Sequence, residues 1–121
     1  MDGCKLLLLN LKKQKMIQKI KSLLGIGPKV DLGELIAGGA TILDVRSKSE
    51  FASGHAKRSV NVPVDQLSGY LKNIKSKDHP IITCCASGVR SASAKHFLKG
   101  QGFTNVHNAG PWFTLNKHCK S

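Results

Sequence analysis

The sequence predicts an α/β domain built on a central parallel sheet with helices on both faces. Three observations carry that prediction. Short apolar runs of strand length alternate with stretches of helix length, which implies crossover connections between parallel strands. Helix starts and stops are marked by an Asp or Ser three residues before a Glu and by glycines at the far end. One apolar run, Ile81-Ile82-Thr83-Cys84, passes through a tight loop directly into a helix-like stretch. In parallel sheets, ligands bind at such junctions, beyond the carboxyl ends of the strands.

Residues 1–27 read as a basic extension and residues 28–121 as the domain. The Leu6-Leu7-Leu8-Leu9 run is broken by Asn10 and followed by Lys12 and Lys13, so it neither spans a bilayer nor resembles a secretory signal. Met16 is a candidate alternative start. After it, Ile17, Ile20, Leu23 and Leu24 recur at helical spacing, predicting a short helix packed on the domain and ended by Gly25-Ile26-Gly27-Pro28.

Within the domain, Asp31-Leu32-Gly33-Glu34 opens a short helix that stops at Gly38-Gly39. Thr41 to Val45 follows as a buried strand. Ser47 and Glu50 repeat the capping pattern for a brief helical turn ending at Gly54, and Val60-Asn61-Val62 is a second strand closed by Pro63. Asp65 to Lys75 reads as a helix with Leu67, Leu71 and Ile74 inward. The strand from Ile81 reaches the loop, and a helix from Arg90 or Ser91 to Lys99 buries Ala94, Phe97 and Leu98. Gly100-Gln101-Gly102 turns the chain into a last strand, Phe103 to Val106.

The 121 residues, 40% of them apolar, suffice for one domain core without disulfide or metal staples. Cys4, Cys84, Cys85 and Cys119 have neither metal-ligand spacing nor the pattern of a disulfide framework, so free thiols in a reducing, cytoplasmic setting are expected and no metal or cofactor is called for. The formal net charge is +12; seven lysines lie in residues 1–29, and no acid follows Asp78. Such a surface attracts anions, whether small substrates or acidic partners. Aromatics are only 5% and are not interleaved with basic residues, which disfavours nucleic acid.

The loop Cys85-Ala86-Ser87-Gly88-Val89-Arg90-Ser91 joins a nucleophile to an anion cup. A helix N-terminus stabilises negative charge, so Cys85 should have a depressed pKa. Gly88 permits the curl that converges successive amides on the sulfur. Arg90 offers a planar fork of donors, and Ser87 and Ser91 add hydroxyls, Ser91 also being a candidate helix cap. Cys84, one residue earlier, should point to the opposite side of the strand as a buried inert thiol. His96 and His107 are expected on a helix surface and a strand end, and Trp112 against the sheet.

The chain resembles single-domain rhodaneses, the thiosulfate sulfurtransferase family, from about residue 28 to residue 113. Leu43-Asp44-Val45-Arg46, Glu50-Phe51, Gly54-His55 and Ser59-Val60-Asn61-Val62-Pro63 match the family's upstream signature in order, and the Cys85–Ser91 loop matches its active loop. Ala109-Gly110 stands where many relatives carry paired glycines. The resemblance implies a sheet of about five strands and a monomer that moves sulfane sulfur from a small anionic donor through a Cys85 persulfide to a thiol, cyanide or protein acceptor. It implies donor binding by Ala86, Ser87, Gly88, Val89, Arg90 and Ser91, and a supporting rather than chemical role for Asp44, Arg46 and His55. Glu50 reads more simply as a helix cap. The alternatives are a persulfide carrier or binding module on the same fold and, further off, a phosphatase or arsenate reductase-like enzyme. Related phosphatases carry a loop one residue longer than the six from Cys85 to Arg90.

Overall fold

The computed structural model describes residues 30–118. The extension, its helix at Met16, Cys4, Cys119 and the boundary at residues 27 and 28 lie outside the described residues. The first helix, α1 (Leu32–Ala37), starts where the Asp31 carboxylate accepts the Glu34 amide at 3.2 Å. β1 (Thr41–Asp44) leads to α2 (Lys48–Ala52), whose capping box is complete: Ser47 accepts the Glu50 amide, and the Glu50 carboxylate accepts the Ser47 amide. β2 (Ser59–Asn61), α3 (Leu67–Tyr70), β3 (Ile81–Cys85), α4 (Val89–Gly100) and β4 (Val106–Pro111) complete the fold, with a closing 3-10 helix at Trp112–His118.

All pairings are parallel, in the order β2-β1-β3-β4. The sheet therefore has four strands among the described residues, where about five were expected. Strand alternation sorts the core into two layers. Leu43, Val45, Ile81 and Cys85 pack with Leu67 of α3 and Ala94 and Leu98 of α4; Ile42, Ile82 and Cys84 pack with Ile36 of α1 and Leu115. Each wholly buried aliphatic side chain of these layers stabilises the fold by about 2 kcal/mol. No helix of the described residues is long and apolar enough to cross a membrane.

Two elements depart from expectation. The helix expected over Asp65–Lys75 is a 3-10 turn (Val64–Gln66), the single turn α3 and a second 3-10 turn (Leu71–Asn73), with Ile74 already extended. Gly69 sits at its centre and neither the first turn nor α3 has a side-chain cap, so no regular helix is sustained. The inward residues are nonetheless as expected: Leu67 is buried, and Leu71 and Ile74 pack against the same layer.

The last strand runs over Val106–Pro111, not Phe103–Val106. Phe103 is buried, but its amide closes the end of α4 on the Leu98 carbonyl, and the Thr104 amide goes to Lys77. Pairing with β3 begins only at Val106 and slips between Thr83 and Cys84, so that Thr83 faces Asn108 while Cys84 faces Gly110. That bulge re-aims β4 beside the Cys85 loop.

Candidate active site

Cys85 ends β3, and α4 begins four residues later at Val89. Gly88 is the N-cap, with φ +105°, and a Cβ there would stand 3.1 Å from the Cα of Gly110. Only glycine suits both the left-handed turn and the close approach of β4. With the chain curled this way, the Gly88 amide donates to Cys85 Sγ at 2.9 Å and the Ser91 amide at 3.4 Å, while the Ser91 hydroxyl lies 3.3 Å from the sulfur. Ser91 is not the helix cap; it is buried in the first turn of α4 and faces the thiol.

Burial pushes the Cys85 thiol up, but the Ser91 hydroxyl and the amides of Ser91, Gly88 and Ser87 outweigh it, and its pKa falls below the ordinary value. Cys84 lies on the other face with Ile36, Ile42 and Leu115. Burial pushes it up to about 12, with the Asp44 carboxylate adding to the effect.

A second layer of polar contacts holds the loop. Asn108 of β4 accepts from the Ser91 hydroxyl at 2.6 Å and from the Gly110 amide at 2.9 Å, and its own amide donates to the Gly88 carbonyl at 3.2 Å. Thr83 donates to the Ser91 carbonyl at 2.9 Å. Gly110, whose φ is +79°, thus has its turn set by the Asn108 side chain. Asn108 was not singled out from the sequence, because it falls in a polar stretch that carries no strand signal.

Asp44 and Arg46 form a buried fork, with Arg46 Nε at 2.9 Å and 3.0 Å from the two carboxylate oxygens and Nη2 at 2.7 Å from Oδ2. Arg46 also donates to the carbonyls of Glu50 at 3.3 Å and Gly54 at 2.7 Å, and lies 4.8 Å from the centre of the Trp112 ring. The fork therefore clips α2 to the end of the sheet. Asn61 caps the same corner by donating to the Asp44 and Arg46 carbonyls. His55 bonds the Phe51 carbonyl through Nδ1 at 2.8 Å and stacks on the Phe51 ring at 3.7 Å, so neither it nor Asp44 contacts the thiol. His96 is exposed on α4, and His107 is in β4, bonded to Asn105.

Arg90 does not turn to Cys85. Its Nη1 and Nη2 donate to the two oxygens of Glu50 at 2.8 Å and 2.9 Å. Glu50, expected only as a cap, thus joins the helix start of α2 to the Cys85 loop. Its carboxyl is held down to about 2, first by Arg90 and then by the Ser47 amide and hydroxyl. Ala86 and Ser87 are exposed at the rim, and Val89 is 72% exposed. Among the described residues no cluster of His, Cys, Asp and Glu could hold a metal ion.

Among the described residues, then, a four-stranded parallel α/β fold holds a cysteine that is cupped by amides at the head of a helix. The family model for the rhodanese-like domain matches residues 29–109, and the chain belongs to that family. It is 35% identical over 80 residues to a thiosulfate sulfurtransferase GlpE of Stutzerimonas stutzeri, covering 66% of this chain and 72% of that protein. Among solved structures, a rhodanese-related protein from Thermoplasma volcanium matches with a TM-score of 0.59 at 34% identity, over 69% of this chain and 85% of that one. A rhodanese with anions from E. coli matches with the same TM-score at 25% identity, over 62% of this chain and 89% of that one.

Proposed function

We propose that the chain is a sulfurtransferase that carries sulfane sulfur on Cys85. The observation that bears most weight is the cup of two amides and one hydroxyl within 3.4 Å of Cys85 Sγ. It stabilises a thiolate without a general base, and the same donors suit the anionic persulfide that replaces it. The Cys85 thiolate attacks the outer sulfur of thiosulfate or a similar donor; the new S–S bond forms as the old one breaks, and sulfite leaves with its electron pair. A thiophile such as cyanide or a thiol then attacks the outer sulfur of the persulfide and releases the Cys85 thiolate, giving ping-pong kinetics.

In this reading Ala86, Ser87, Gly88, Val89, Arg90 and Ser91 frame the donor, while Asp44, Arg46 and His55 position α2 and the loop. Cys85 is fully buried at rest, so the loop has to yield around the entering sulfur. Family membership and the likeness to proteins named thiosulfate sulfurtransferase support the reaction class. The free thiols of Cys84 and Cys85 suit a reducing compartment such as the cytoplasm.

The test is intact mass after incubation with thiosulfate, with Cys85→Ser as control. The parent gains one sulfur atom that cyanide removes, and the variant gains none. No gain on a folded, reduced parent would remove thiosulfate as the donor.

A further inference from the structure

Arg90 is the one cation of the loop, and both terminal nitrogens of its guanidinium are engaged by one carboxylate, at 2.8 Å and 2.9 Å. That carboxylate is itself fixed from behind. Glu50 Oε1 accepts the Ser47 amide at 3.1 Å and the Ser47 hydroxyl at 3.0 Å, and the Glu50 carbonyl accepts Arg46 Nη1 at 3.3 Å. Arg46 in turn is locked on buried Asp44. The pairing is therefore part of a connected chain from the end of β1 to the loop, and Glu50 stays ionised far below neutral pH because Arg90 and then Ser47 stabilise its charged form.

A free arginine would present a full positive charge to an entering anion, whereas the Glu50–Arg90 pair presents none. A donor that draws on Arg90 must share it with a carboxylate that repels it, and the repulsion grows with the donor's own charge. The amides of Ser87, Gly88 and Ser91 converge on the sulfur and favour negative charge there.

We infer that Glu50 is a specificity-determining positioning residue, which holds Arg90 as a neutral pair and biases the site toward singly charged sulfane donors over the thiosulfate dianion. This rests on the sulfur-transfer reading and narrows its donor class to persulfides, thiosulfonates and similar monoanions. Each donor balances: RSO2–S⁻ with the Cys85 thiolate gives the Cys85 persulfide anion and a sulfinate, a persulfide RS–S⁻ gives the same persulfide anion and the thiolate RS⁻, and thiosulfate gives sulfite.

The experiment compares thiosulfate with methanethiosulfonate, each against cyanide, for the parent, Glu50→Gln, Arg90→Ala and the double variant. Gln at this position can still accept the Ser47 amide and complete the capping box, so the substitution removes charge while sparing the helix start. Glu50→Gln should lower KM for thiosulfate by about threefold, the scale of an exposed ion pair, and lower KM for methanethiosulfonate by less. Adding Arg90→Ala should erase that gain, and raising the salt concentration should shrink it. An unchanged ratio of the two KM values, with both donors still loading Cys85, would overturn the assignment of Glu50 alone. A rise in thiosulfate KM in Glu50→Gln would overturn it too, by making the pair an aid to dianion binding. If neither donor loads Cys85 of the parent by intact mass, the sulfur-transfer reading falls and this inference with it. As a readout independent of sulfur transfer, iodoacetate should gain on iodoacetamide as an alkylator of Cys85 in Glu50→Gln.

Discussion

Cys84 and Cys85 are neighbours in one strand, both wholly buried and both free thiols, yet their acidities move in opposite directions. Desolvation is the largest influence on each, and it raises both. For Cys84 little offsets it: Asp44 adds to the rise, and only Arg46 works against it. For Cys85, Ser91 and the amides at the head of α4 reverse the sign. The strand buries the sulfur; the loop makes it acidic. Burial by itself marks an inert thiol, and reactivity is read from the donors that a turn brings to the sulfur.

The two thiols become most alike when Gly88 is replaced. In Gly88→Ala the Cβ would stand 3.1 Å from the Gly110 Cα in a backbone conformation with φ +105°. Relieving both constraints turns the Gly88 amide away from Sγ, so Cys85 loses its shortest donor and drifts toward the acidity of Cys84. Chemical denaturation should register a loss of about 1–2 kcal/mol, the usual cost of forcing a side chain into the left-handed region. Alkylation of Cys85 at neutral pH should slow in parallel. Retained alkylation with retained stability would mean that the curl of the loop does not activate the thiol.

Ser91 comes next. Its single hydroxyl proton faces three acceptors: Asn108 Oδ1 at 2.6 Å, the Gly88 carbonyl at 3.1 Å and Cys85 Sγ at 3.3 Å. The thiol form of Cys85 can donate to Ser91 Oγ while Ser91 serves Asn108; the thiolate draws the hydroxyl proton to itself. Ser91→Ala removes that donor and orphans nothing, because Asn108 still accepts from Gly110 and still donates to Gly88. The reactive form is the thiolate, so the alkylation rate rises with pH through the Cys85 pKa. Losing a stabiliser of the charged form moves that midpoint upward. The variant should be slower by about tenfold at pH values below the parent's midpoint, the scale of one hydrogen bond to a charged group, and should close that gap in alkali. A profile that does not move would assign the acidity of Cys85 to the amides alone.

Much of this arrangement was legible because it is local. Strand alternation puts Cys84 and Cys85 on opposite faces, Gly88 announces the curl, and Ser47 with Glu50 spells a capping box. What escaped depends on residues far apart in the chain. A carboxylate can accept several donors at once, so the capping motif that accounts for Glu50 locally does not exhaust it, and its partner Arg90 lies 40 positions away. Asn108 escaped because His107-Asn108-Ala109-Gly110-Pro111 looks like a turn; parallel pairing with β3 and a bulge override that preference. Apolar Phe103 drew the strand prediction to itself, although its burial serves the end of α4. The expected helix after Asp65 failed for the opposite reason, with its periodicity sound and its propensity too weak around Gly69.

The smallest effect is expected at Cys84. Cys84→Ala removes a sulfur atom from the layer of Ile36, Ile42, Ile82 and Leu115 and leaves every donor to Cys85 in place. The cavity should cost about 1–2 kcal/mol of stability. The Cys85 thiolate adds a little to the rise of Cys84, but a thiol held up to about 12 carries no charge at neutral pH and cannot repel Cys85 there. The alkylation profile of Cys85 should therefore keep its midpoint, and the persulfide should form to the same extent by intact mass. If Cys84→Ala instead moved the midpoint or slowed sulfur loss from Cys85, the two faces of β3 would be coupled, and Cys84 would be a participant across the strand rather than part of the core.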